Sequence, residues 1–179
     1  MNMSSRKTIC GLLVLLVYAL LPGMSRAQDS QDNASVAAQL DAAKPILAKI
    51  KKDAEDMESY TRNNGLSWQT HATTLEKIKA DVNQLQENMR GLQSHRTVAS
   101  PWQQDAIDRI TALANDLATN MNAAIAQLSK SKSRPTAPPY PEYLKANARI
   151  ANDLIDAIND TIDYGQTKVK MDSLAKQLS

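Results

Sequence analysis

Apolar residues recur at alternating steps of four and three along most of the chain beyond residue 34. In a first stretch the positions are Val36, Leu40, Ala43, Leu47, Ile50, Ala54, Met57 and Thr61. Such spacing lines one face of a helix and predicts coiled-coil-like packing over about 34–63. Asp29, Asp32 and Asn33 can cap this helix, while Pro45 inside the stripe either kinks it or marks its start. Asn63-Asn64-Gly65 then ends the helix, and Ser67 can cap the next.

The second stripe, Trp68, His71, Leu75, Ile78, Val82, Leu85, Met89 and Leu92, predicts a helix over 67–97. His95 and Arg96 near its end suit the negative pole of the helix dipole. The third begins at Ser100-Pro101-Trp102-Gln103, a capping box with proline at the first helical position. Its face follows Ala106, Ile110, Leu113, Leu117, Met121, Ile125 and Leu128, for a helix over 101–129. The segment 129–141 (SKSKSRPTAPPYP) carries four prolines and three bases and reads as an exposed, fairly extended linker. Leu144, Ala148, Ala151, Ile155, Ile158 and Ile162 open a fourth helix over 141–178. Tyr164-Gly165 interrupts its stripe, and Val169, Met171, Leu174 and Leu178 carry a shifted one onward. Gly165 either ends this helix or allows a close backbone approach within it.

Four amphipathic stretches with mostly short links predict an all-α, antiparallel up-down four-helix bundle. A long three-helix arrangement with a loose C-terminal part is the competing architecture. Alanines on the stripes imply closely packed helices with little internal volume.

The N-terminus follows another rule. Arg6 and Lys7 precede an apolar run from Ile9 to Leu21, and Ser25-Arg26-Ala27 stands before Gln28. A cationic start, about a dozen apolar residues and small residues at the cleavage positions describe a signal peptide over 1–27, cut between Ala27 and Gln28. The run falls short of the ~20 residues a spanning helix needs, which argues against an uncleaved anchor. The expected product is a single domain, 28–179, exported to a periplasm or secreted.

Cleavage changes the chemistry that remains. The chain has 21 Lys and Arg against 19 Asp and Glu. Three of the bases and none of the acids lie in the leader, so 18 bases face 19 acids afterwards. A charge of −1 gives no electrostatic case for nucleic acid. Cys10, the one cysteine, leaves with the leader, and with it any disulfide, thiolate metal site or cysteine nucleophile. Phe is absent, and helix-forming residues dominate the composition.

Up-down topology gathers Tyr60, Trp68, His71, Tyr140 and Tyr143 at one end, and His95, Trp102 and Tyr164 at the other. Tyr60, Trp68, His71 and Tyr143 form the candidate ligand-binding set, with aromatic faces for stacking and His71 as the polar contact. The alternative is that these rings plug the bundle end with their polar tips in water. No Glu-x-x-His occurs, so the di-iron carboxylate signature is missing, and c-type haem attachment lacks its cysteines. Asp53, Glu55, Asp56 and Glu58 cluster, and Asp153, Asp156, Asp160 and Asp163 follow one helix face; both read as solvated surface. No catalytic triad order, phosphate loop or zinc motif appears. The sequence therefore calls for no catalytic residue, metal or other cofactor. Lys130, Lys132 and Arg134 are too few for stable membrane anchoring.

The segments SWQTH (67–71), SPWQQDAIDRI (100–110), YLKANA (143–148) and DYGQTKVK (163–170) resemble those of small exported bacterial helical proteins of unknown function. The resemblance spans most of the processed chain and implies a bacterial exported bundle, with no activity to carry over. Together these readings favour a non-catalytic interaction or structural protein that binds a partner, or itself, through a helix face. The competing reading is a bundle holding a small ligand, metal or haem near Trp68 and His71. A hydrolase or transferase acting through the acidic stripe is the remotest alternative.

Overall fold

The computed structural model describes residues 24–62, 66–131 and 137–178. They form four α-helices: α1 (Met24–Tyr60), α2 (Trp68–Ser94), α3 (Pro101–Lys130) and α4 (Tyr140–Gln177). A 3₁₀ turn, Arg96–Val98, joins α2 to α3. α1 packs on α2 and α4, and α3 packs on the same two, so the helices form a mostly antiparallel up-down bundle. Of the proposed leader over 1–27, residues 1–23 lie outside the described residues, and α1 runs unbroken through Ala27 and Gln28. α1 also continues through Pro45 rather than starting there.

The caps follow from the chemistry of the turns. Ser67 accepts a hydrogen bond from the Thr70 backbone N–H at 3.2 Å, starting α2. At α3 the Gln103 side chain accepts from the Ser100 backbone N–H at 3.1 Å, and the reciprocal bond completes the capping box. Arg96 donates two bonds of 2.7 Å to Asp108, clamping the α2–α3 turn onto the side of α3.

Polar pairs set the register between helices. On α1, Lys49 reaches Asp81 of α2 at 2.6 Å, while Lys77 of α2 reaches back to Asp53 at 2.8 Å. Both carboxylates are nearly buried and both lysine heads are half in solvent, so each lysine stem covers the acid it pairs with. Between α3 and α4, Asn120 donates to the Tyr143 carbonyl at 2.7 Å and to Asn147 Oδ1 at 2.8 Å. This satisfies part of the buried Asn147 amide.

The first two stripes form the core as spaced, from Val36 to Met57 and from Leu75 to Leu92. The third differs by a small rotation. Its buried line is Gln103, Ile107, Ile110, Ala114, Leu117, Met121, Ala124 and Leu128, and Leu113 and Ile125 stand at the margin. An alanine belongs at the centre wherever a neighbouring helix comes close, and bulky residues fit beside it. On α4, Leu154 and Ala157 join the buried line, and Ile155 is only partly buried.

Helix lengths differ in a way that shapes the molecule. At 1.5 Å per residue α2 is ~40 Å long, whereas α1 and α4 are each ~55 Å. α1 and α4 share one end, where α1 begins and α4 finishes. α4 is exposed there from Asp163 to Leu178, apart from the partly covered Gly165 and Lys168.

Candidate functional site: the two ends of the bundle

At the end holding α2's N-terminus, the rings close on one another. His71 is fully buried, and its Nδ1 shares a hydrogen bond of 3.1 Å with the Tyr140 hydroxyl. Tyr140 is itself fully buried and meets the imidazole edge to face at 5.6 Å. Tyr60 also meets the imidazole edge to face, at 6.0 Å. Trp68 and Tyr143 pack against the core nearby as partly buried side chains. Of the sequence-derived set, Tyr60 and His71 are in ring contact, and Tyr140, outside that set, joins them.

The electrostatics at this end favour neutral groups. Desolvation lowers the His71 pKa below 6.5 and raises that of the Tyr140 phenol. His71 Nε2 is buried and makes no hydrogen bond. The recess beside Trp68, reaching Leu75, Ile125 and Leu128, has a volume of only about 70 Å³. That is room for a few waters, not for a ligand of drug or cofactor size.

The opposite end is open. A cleft of about 410 Å³ lies between residues 34–41 of α1, the first turn of α3 and the stretch of α4 that leaves the bundle. α1 contributes Ala34, Ala37 and Leu40, and α4 contributes Ile162, Gly165 and Val169. Trp102 and Gln103 enter from the first turn of α3. A second recess on the same helix pair joins Lys44–Ala48 to Ile155–Asn159, and this pairing sets Leu40 level with Ile162 and Ala34 level with Val169. Leu40 and Ile162 thus form the floor of the cleft, and Ala34 and Val169 its mouth.

Trp102 is placed by two features of α4. Its ring meets Tyr164 edge to face at 4.9 Å. A Cβ on Gly165 would lie 3.3 Å from the indole Cη2, so the missing side chain lets the ring settle onto the helix. The close approach expected of Gly165 is therefore real, and the helix runs on past it. The indole N–H is buried without a partner.

Beyond the cleft the apolar stripe of α4 changes side. At 100° per residue Val169 stays roughly in line with Ile162, whereas Met171, Leu174 and Leu178 lie about 120–180° around the helix. Tyr164 shares that outward face. These four side chains are 49% (Leu174) to 89% (Leu178) exposed.

No family model matches the chain, nor does any curated protein or solved structure. Function must therefore be read from the residues themselves.

Among the described residues, no group of three His, Cys, Asp or Glu side chains could hold a metal ion, and no helix is long and apolar enough to cross a membrane. The acidic clusters are divided among ion pairs and solvent. Asp53 pairs with Lys77, Asp56 with Lys52, Glu58 with Arg62 and Asp153 with Arg149. Asp156, Asp160 and Asp163 are exposed.

The open cleft was not among the sequence-derived sites. Its signals in the sequence were the break at Tyr164-Gly165 and the run of alanines near the start of α1. Neither specifies a cavity until the helices are set in register.

Proposed function

We propose that this chain is a non-catalytic interaction protein, exported in its processed form, that binds a protein partner or a second copy of itself through the outward face of the last turns of α4. The observation that carries this reading is the exposed apolar stripe Tyr164, Met171, Leu174 and Leu178. Its steps of seven, three and four are those of a helix-on-helix seam. A contiguous apolar strip in water is costly, and on a soluble bundle it marks a contact surface. Export rests on the leader pattern of residues 1–27. The alternative ligand or haem site at His71 would have to displace both tyrosine rings that enclose the imidazole.

The test is a photo-crosslinking amino acid placed at Leu174 in protein expressed with its own leader and recovered from the exported fraction. A control carries the same group at the exposed Asp116 of α3. Adducts of a defined mass from position 174 and none from position 116 support the reading. Monomer alone from both positions would remove its basis.

A further inference from the structure

The cleft roofed by Trp102 touches that outward stripe only through Tyr164, since Met171, Leu174 and Leu178 lie on the other side of α4. From its dimensions and lining, we infer that it is a binding site for a neutral, mainly apolar small molecule of elongated shape. The volume is about 410 Å³. An apolar cavity of about 150 Å³ suffices for benzene, so two to three such rings, or a medium-length acyl chain, would fill this one. The lining spans residues 161–169 of α4, which sets a length of ~12 Å at 1.5 Å per residue.

The chemistry of the lining narrows the class. Most of the lining is aliphatic; of its two polar side chains on α4, Thr161 donates its hydroxyl to the Ala157 carbonyl and Gln166 is exposed, and the indole of Trp102 gives a flat face for a ring or chain to lie against. Among the described residues that line it there is no Lys, Arg or His, so a carboxylate or phosphate finds no cation. The one acid, Asp41, is solvent-exposed and paired with Lys44 at 3.1 Å, leaving little to hold a cationic ligand. Gln103 is buried, and its carbonyl is already committed to Ser100. Space is kept clear by small residues: Ala34 and Ala37, which flank the stripe on α1, and Gly165, which follows Ile162 on α4.

N-phenyl-1-naphthylamine, a neutral apolar fluorophore, is the probe for this site. One saturable site per chain is expected in the wild type. The same affinity is expected in the Met171→Asp/Leu174→Asp double variant, which removes the outward stripe and leaves the cleft intact. Ala37→Phe, which fills the cleft from α1, should weaken binding at least tenfold. In a Trp68→Phe background, where Trp102 is the remaining tryptophan, the probe should quench the protein's emission with the same midpoint. Absence of saturable binding would overturn the inference, as would affinity within twofold of wild type in Ala37→Phe. So would loss of binding in the double variant, which would place the probe on the stripe. Should Ala37→Phe not fold, unquenched Trp102 emission at probe saturation would be equally decisive against it.

Discussion

The two ends of this bundle use the same kind of residue for opposite purposes. At one, Tyr140 and His71 are fully buried and share a hydrogen bond, and Tyr60 seals the imidazole edge. At the other, Trp102 and Tyr164 also meet edge to face, yet Tyr164 is more than half exposed and a cleft opens beneath the indole. The difference comes from the helices behind the rings. α4 begins at the closed end and brings a large ring into its first turn, whereas at the open end α1 and α4 overrun their neighbours and offer alanine and glycine. Aromatic residues at a bundle end thus say little by themselves. What decides is whether the neighbouring positions are large enough to fill the space beside them.

The largest effect should come from breaking the closed end. Tyr140→Ala removes a fully buried ring and orphans His71, and it should cost about 3–5 kcal/mol in urea unfolding. Trp102→Ala, at a half-buried position beside a cleft, should cost about 1–2 kcal/mol. Equal costs at the two positions would erase the distinction between the closed and the open end.

A second contrast lies in pH. Burial holds the His71 pKa below 6.5 in the folded chain, so between the two values the unfolded chain takes up a proton that the folded chain refuses. The contribution is complete above pH 6.5 and is lost as pH falls toward the folded value. The slope for one proton reaches at most about 1.4 kcal/mol per pH unit. His71→Leu should flatten the acid limb of the stability profile by that component, read as the difference between wild type and variant from pH 7 to 5. Parallel profiles would show the imidazole to be accessible after all.

How far the sequence made these features legible depends on what fixes each. The helices and the caps at Ser67 and Ser100 come from local periodicity and turn chemistry, which a chain carries openly. The rotation of the α3 stripe toward Gln103 and Ala114 does not, because the closeness of a neighbouring helix decides whether alanine or leucine takes the centre. The grouping of Tyr60, His71 and Tyr140 follows from topology, but whether it forms a cavity or a plug depends on packing. The cleft was hidden more deeply. It arises from register between α1 and α4, which sets Ala34 opposite Val169, and no local pattern encodes that pairing.

Smaller effects sharpen the comparison at the open end. Gly165→Ala should gain about 0.5 kcal/mol. The helix propensity of alanine favours it by up to ~1 kcal/mol, and the partly buried indole 3.3 Å away, beside an open cleft, can yield by a few tenths of an ångström. A shift in tryptophan emission should accompany the gain, and a net loss of stability would mean that the ring is locked in place. Least of all, Met171→Asp with Leu174→Asp should change unfolding stability by no more than about 0.5 kcal/mol, since both side chains are exposed. A larger loss would show that the outward stripe is already covered within the monomer.

The most direct test of the account compares the two tryptophans in one experiment. In ¹H–¹⁵N spectra of the protein, each indole N–H gives its own signal, one for Trp68 at the closed end and one for Trp102 at the open end. On titration with N-phenyl-1-naphthylamine the account predicts a saturable shift of the Trp102 signal while that of Trp68 stays in place. Movement of Trp68 with Trp102 unchanged would contradict it and return the binding site to the His71 end.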